Sequence, residues 1–319
     1  MSDTKTSTPR VLVTCPPMLG MINQFVARFA ELGLEFEAPR VIQTLSEEEL
    51  IHHIGGFDGW IAGDDPATAR VLEAGARGRL RALVKWGVGT DNIDFDTARR
   101  LGIRTAHTPG VFGREVADIA MHYVVALARN TFWVDREIRL RASWPKPQGI
   151  SLAGRTAALV GFGDIGRQTA RRLIACDMRI IAYDPCFRPA GGIEVEPATW
   201  PERIDEADFI IFTCPLTDKT RHLFNMEILE RLKPGVRIVN VARGPVVSET
   251  ALVEALRRGI VHSAALDVFE TEPLPADSPL RAFERCIFGS HNASNTREAV
   301  ERVSLQAIDL LVELMGCKK

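Results

Sequence analysis

The sequence predicts an α/β fold built on doubly wound parallel sheets, and two observations predict it. Short apolar runs alternate with amphipathic, helix-period stretches along almost the whole chain. That is the pattern left when helices cover both faces of parallel strands. The alternation also stops and restarts: one series ends near residue 106, a long helical stretch follows, and a second series begins at Thr156.

In the first series the strand-like runs are residues 11–15, 34–37, 59–62, 83–86 and 103–106, with helical patterns between them such as 23–32 and 96–101. The turn signal Thr108-Pro109-Gly110 then precedes the longest helical pattern, 113–141. It contains few breakers and reads as a connector between domains. In the second series, runs at 157–161, 180–184, 209–214, 238–242, 263–268 and 286–290 give six strands. Six is the strand count of the doubly wound sheets that bind dinucleotides. A closing helix over 296–315 is opened by Asn295 and Glu298, read as a capping pair.

Composition narrows the class. With 319 residues, 46% hydrophobic and 25% charged, the chain is long enough for two domains with separate cores. Lys plus Arg number 39 against 41 for Asp plus Glu, so no basic footprint marks a polyanion such as nucleic acid as a partner. The polar start lacks the apolar stretch of a signal peptide, and no apolar run approaches the roughly 20 residues of a membrane helix. Six cysteines lie far apart without Cys-x-x-Cys or Cys/His ligand spacing. They read as reduced, structural thiols, which points to the cytoplasm and to no metal.

The sharpest motif is Gly161-Phe162-Gly163-Asp164-Ile165-Gly166, after an apolar strand and before a helix. In that context Gly161 permits the turn, Gly163 lets backbone approach a pyrophosphate, and Gly166 allows close helix–strand packing. The N–H groups of Asp164 and Ile165 then face the anion. Asp184, closing the next strand, is placed to accept hydrogen bonds from the adenosine ribose and to repel a 2′-phosphate, favouring NAD over NADP. Arg188 lies close by, and an NADPH-linked enzyme is the alternative.

Ligands of open α/β sheets sit beyond the carboxyl ends of the strands. Three polar residues follow late strands there: Arg243, before Gly244-Pro245; Glu272, before Pro273; and His291, before the final helix. Histidine suits proton transfer near neutrality, a carboxylate fixes its tautomer, and arginine clamps a carboxylate through a bidentate fork. His52, His53, His107, His122, His222 and His262 show no such placement and read as structural or exposed.

Together these segments, with Cys214-Pro215-Leu216-Thr217, Asn240-Val241-Ala242-Arg243-Gly244 and the run from Ala265 to Pro273, resemble the D-isomer-specific 2-hydroxyacid dehydrogenases over nearly the whole chain. Within that family the resemblance points to phosphoglycerate dehydrogenase. The resemblance implies a Rossmann-like cofactor domain (108–289) inserted in a flavodoxin-like substrate domain (1–107 and 290–319), a cleft that closes on substrate, and a homodimer. It implies His291 as acid/base, Glu272 as its partner and Arg243 as substrate clamp. Cys214, Pro215, Thr220, Val241 and Ala242 would line the cofactor, and Asp267 would approach the nicotinamide carboxamide. It also implies that Val88 and Gly89 receive the substrate carboxylate on their backbone N–H groups while Lys85 reaches a phosphate or second anionic group.

The substrate so implied is 3-phosphoglycerate or a related small acid, with glyoxylate/hydroxypyruvate reduction as an alternative. A non-catalytic, dinucleotide-sensing corepressor on the same scaffold is another. One departure stands out: the family's Pro before the histidine and Gly two after it are replaced in Gly289-Ser290-His291-Asn292-Ala293. A regulatory domain after the closing helix, with feedback through it, is not expected.

Overall fold

A computed structural model describes residues 8–317. The chain divides into two compact units: one runs up to Phe112 and takes in the segment from Asn295, the other is Gly113–Ser294.

The first unit is built on five parallel strands, β1 (Arg10–Val13), β2 (Glu35–Glu37), β3 (Gly59–Ala62), β4 (Ala82–Lys85) and β5 (Arg104–His107), in the order β2-β1-β3-β4-β5. All five expected strands are present, with bounds within two residues of those read from the sequence. This is the flavodoxin-like order of a doubly wound sheet. β3 and β4 are buried at every position, as strands covered on both faces must be. Leu12, Leu50, Ile54, Trp60 and Leu83 belong to one apolar cluster of this unit.

The final helix, Arg297–Met315, returns to pack on β3, β4 and β5. A Cβ on Gly59 would stand 2.9 Å from Leu311, so the glycine lets helix and strand approach. Its N-cap is Thr296 rather than Asn295: the Thr296 hydroxyl accepts from Ala299 N–H at 3.2 Å. That frame puts Ala299 at the third helical position, so Glu298 is one residue out of register for a capping box.

The second unit carries seven parallel strands: β6 (Thr156–Val160), β7 (Arg179–Tyr183), β8 (Glu196–Ala198), β9 (Phe209–Phe212), β10 (Val236–Asn240), β11 (Val261–Leu266) and β12 (Ile287–Phe288). Their order is β12-β11-β10-β9-β6-β7-β8. Counted from β6 this is the dinucleotide-binding order 3-2-1-4-5-6 with one further strand at the β12 edge. The strand the sequence does not reveal is β8. It has three residues, contains Pro197 and lies at the sheet edge, where proline is tolerated and alternation is too short to read.

The helix expected over 113–141 is two helices, Gly113–Arg129 and Thr131–Arg141. They part at Asn130, whose φ of 55° is left-handed, a conformation asparagine adopts more readily than most residues. The division between units falls at 112/113 and 294/295 rather than at 107/108 and 289/290. Contacts at each boundary account for the shift. Gly113 lies against Asp164, so closely that a Cβ would stand 2.2 Å from its carboxylate. At the other boundary, His291 N–H and Ala293 N–H both bond to Asp267, tying their loop to the end of β11. Among the described residues no helix is long and apolar enough to cross a membrane.

Candidate active site

β6 runs directly into the glycine loop. Gly161 has φ 98°, and a Cβ there would stand 2.7 Å from Cys214 N, so both backbone conformation and the neighbouring strand exit require glycine. Gly166 is held equally close, with a Cβ 2.2 Å from Gly161 O, which seats the helix Asp164–Ile174 against β6. A Cβ on Gly163 would meet nothing within 4 Å: the space in front of that helix N-terminus is open. No side chain caps the helix, leaving its first N–H groups, including those of Asp164 and Ile165, for an anion. A pyrophosphate fits this cradle.

Asp184 follows β7 and stands against the same loop, accepting from Phe162 N–H at 2.7 Å and Cys186 N–H at 2.8 Å. Thr213, a residue the sequence does not single out, braces the turn from β9 by donating to Gly161 O at 2.9 Å. Cys214 is buried and its thiol is pushed up to about 12, chiefly by burial, so it lines the loop as a neutral group. The Thr220 hydroxyl is committed to its own loop, donating to Pro215 O at 2.7 Å and accepting from Thr217 N–H at 2.8 Å. It therefore shapes the segment that Pro215 begins.

Arg243, Glu272 and His291 sit in loops after β10, β11 and β12, brought side by side because those strands are neighbours. The His291 ring Nδ1 stands 2.8 Å from Glu272 Oε2, and Glu272 Oε1 accepts from Phe269 N–H at 2.9 Å. The carboxylate is thus fixed at one oxygen and orients the imidazole with the other. Both side chains keep about a fifth of their surface exposed (20% each), enough for the outer ring nitrogen to meet a substrate. Asn240, buried at the end of β10, donates to Arg243 O at 3.0 Å and accepts from Ala242 N–H at 3.0 Å, shaping the turn that carries the guanidinium. Val241 and Ala242 form the buried floor of that turn. Gly244 presses on the next loop: a Cβ would stand 1.8 Å from Phe269 O.

Asp267 is nearly inaccessible, and its carboxylate accepts from Ala293 N–H at 2.9 Å and Tyr123 hydroxyl at 3.4 Å. Burial first, then the Asp267 charge, push the Tyr123 phenol up, so it stays a donor. The structure therefore shows Asp267 securing the histidine loop. Gly289, two residues before the histidine, is required by the same contact, since a Cβ there would stand 2.1 Å from Asp267 Oδ1 and 2.5 Å from the Tyr123 oxygen. His222, set aside in the sequence, lies beside the site: its N–H bonds Pro245 O at 2.7 Å and its Nε2 stands 2.6 Å from Glu270 Oε1. Only the tertiary fold joins it to those loops.

In the first unit β4 ends at Lys85, and the loop after it holds Val88 and Gly89. Gly87 has φ 127° and donates to Thr108 Oγ1 at 2.8 Å, turning the chain so that Val88 is exposed. Among the described residues, no protein acceptor meets the Val88 or Gly89 N–H. Lys85 differs from expectation. It is only 2% exposed, and its Nζ lies 2.9 Å from Asp64 Oδ1 and 3.3 Å from Trp86 O, because it is still within β4 and points into the unit. No group of three or more His, Cys, Asp or Glu among the described residues is arranged to hold a metal ion.

A doubly wound sheet in dinucleotide-binding order, an open glycine cradle and a His–Glu pair at neighbouring strand ends define a dinucleotide-dependent dehydrogenase. The chain belongs to the D-isomer-specific 2-hydroxyacid dehydrogenases, whose NAD-binding domain matches residues 121–293. It is an oxidoreductase with NAD as cofactor. It is 37% identical over 280 residues to hydroxypyruvate reductase of Thermotoga maritima, covering 86% of this chain and 90% of that one. It is 34% identical to D-3-phosphoglycerate dehydrogenase 2, chloroplastic, of Arabidopsis thaliana, covering 93% of this chain but 47% of that longer protein. Among solved structures, the TT0316 protein of Thermus thermophilus superposes with a TM-score of 0.85 at 33% identity, covering 97% of this chain and 98% of that one.

Proposed function

We propose that the enzyme interconverts a small D-2-hydroxy acid and its 2-oxo acid, with His291 as the acid/base. The observation that carries this is the 2.8 Å contact between His291 Nδ1 and Glu272, itself anchored on Phe269 N–H. With Nδ1–H donated to the carboxylate, Nε2 is the ring's basic nitrogen: it takes the proton of the C2 hydroxyl in oxidation and returns it in reduction. Glu272 stabilises the imidazolium formed in between. Arg243 binds the substrate carboxylate and the developing C2 oxygen through its fork of donors. The backbone N–H groups of Val88 and Gly89, in the loop after β4, are further candidate donors to substrate. Bound NAD supplies the hydride acceptor at its nicotinamide ring. The open space at Gly163 and the uncapped helix behind it support pyrophosphate binding there, and Asp184 at the end of β7 favours NAD over NADP.

Two substrate classes are carried by relatives of near-equal similarity: phosphorylated three-carbon acids, as in 3-phosphoglycerate, and short unphosphorylated acids. The exposed Phe132, Ile138, Leu140 and Trp144 on and just after one helix support a homodimer, tested by sedimentation. Six free thiols accord with a reducing compartment such as the cytoplasm.

The deciding assay follows NADH consumption with glyoxylate, pyruvate, hydroxypyruvate and phosphohydroxypyruvate, and with NADPH in parallel. Turnover of at least one oxo acid is expected, with NADH preferred. NADH binding without turnover of any of them sinks the proposal.

A further inference from the structure

The geometry points to Glu249 as a positioning residue for the His291–Glu272 pair, acting through the peptide group between Phe269 and Glu270. The inference rests on the reading that His291 is the acid/base, and it concerns residues of the second unit alone.

Phe269 and Glu270 present consecutive N–H groups at the exit of β11, and each is taken by a carboxylate. Phe269 N–H donates to Glu272 Oε1 at 2.9 Å, and the other oxygen of that carboxylate meets His291 Nδ1 at 2.8 Å. Glu270 N–H donates to Glu249 Oε1 at 2.8 Å. The first bond sets the carboxylate that orients the imidazole; the second sets the backbone from which the first is made. Glu249 is the first residue of the helix Glu249–Arg257, so it grips the loop from a separate element.

The peptide it grips is closed on its other side. Phe269 O, the carbonyl of that same peptide, lies so near Gly244 that a Cβ there would stand 1.8 Å away. With the carbonyl against the β10 exit and the N–H on Glu249, the peptide plane cannot turn without losing the bond or colliding with its neighbour. The Glu270 side chain is braced separately, by His222 Nε2 at 2.6 Å from its Oε1, but His222 is 48% exposed and such a pair contributes little. Glu249 is the more enclosed brace. Burial raises its carboxyl above the usual range, the Glu270 N–H opposes this, and the charges of Glu270 and Glu272 add to the rise.

An acid in the first turn also stabilises a helix through the positive end of its dipole. Reach and charge separate the two roles. Glu249→Asp keeps the charge at the helix start but is one methylene shorter, which draws the acceptor away from Glu270 N–H. Glu249→Gln keeps the reach and an acceptor oxygen and removes the charge.

The test uses whichever of glyoxylate, pyruvate, hydroxypyruvate and phosphohydroxypyruvate the wild-type enzyme turns over fastest. For both variants it measures kcat, KM, NADH affinity by fluorescence titration, and melting temperature. Glu249→Asp should lower kcat about tenfold or more, the scale on which small misplacements of reacting groups act. Its KM and NADH affinity should stay within about twofold of wild type, because ground-state binding is untouched. Glu249→Gln should keep kcat within about threefold. Equal kcat in the two variants, the reverse ranking, or a fall in kcat matched by an equal loss of NADH affinity overturns the inference. His291→Asn, measured alongside, keeps the two readings apart. Loss of turnover there with an unresponsive Glu249 series defeats the assignment of Glu249 alone, whereas full turnover in His291→Asn defeats both.

Discussion

His291 occupies a left-handed backbone conformation, φ 55°, which strains a non-glycine residue by roughly 1–2 kcal/mol. Its N–H bond to Asp267 O at 2.7 Å and the Ala293 bond to the Asp267 carboxylate hold it there. A strained residue maintained by the surrounding structure is often a functional one. Asparagine tolerates the same backbone, so His291→Asn isolates the loss of the ring. It is expected to lower kcat by about 10²- to 10⁴-fold, the usual contribution of a positioned acid/base, with NADH affinity nearly unchanged. Stopped-flow turnover and fluorescence titration of NADH check this, and retained activity would remove His291 from proton transfer. The identity of the residue was legible from its position after a strand. Its tautomer was not, because that depends on Glu272 approaching from another loop.

Among the elements, three strand exits carry the proposed site, and their contacts leave little slack. Gly244 allows the exit of β10 to lie on the exit of β11, at the carbonyl of Phe269. Gly244→Ala must push these loops apart, which costs about 1–3 kcal/mol as overpacking and shifts the turn that carries Arg243. The expected result is a lower urea midpoint together with a rise in KM for the oxo acid; wild-type kinetics would show the loops to be independent.

The opposite end of β11 carries a separate titration. His262 is lowered from 6.5 to about 4 by burial and by the Arg237 and Arg285 charges. A histidine depressed by folding binds fewer protons in the folded state, so its contribution to stability is complete above about pH 6.5 and is lost as pH falls toward 4. Melting temperatures should therefore decline across that window, and less steeply in His262→Gln. Equal slopes would discount the residue.

Across the molecule, the two units have separate sheets, and the cofactor cradle belongs wholly to Gly113–Ser294. A ligand that binds only the folded form stabilises by about 2.7 kcal/mol at a hundredfold excess over its Kd. With saturating NADH, amide hydrogen exchange should slow first in the second unit, above all in β6, β7 and the helix Asp164–Ile174. Protection confined to the first unit would contradict the placement of the cofactor. The interleaving of the chain, with its last helix closing the first sheet, makes both ends of the described chain part of one unit's core. This arrangement came from the family resemblance; periodicity alone showed only two series of strands.

The strand series, the glycine loop and the identities of Arg243, Glu272 and His291 are written in the residues themselves, because local periodicity and strand-end position need no distant partner to be read. Hidden there were β8, whose three residues are too few to alternate, and the break at Asn130, which turns on one backbone dihedral. Thr213, Tyr123 and His222 were equally hidden, since each matters through what it touches on another element. The clearest case is Lys85. Sequence made it a cation at a strand end, available to a phosphate; the parallel pairing of β3 with β4 set Asp64 beside it, and Coulomb attraction in a buried setting closed that availability. What the charge faces was decided only when the strands came together.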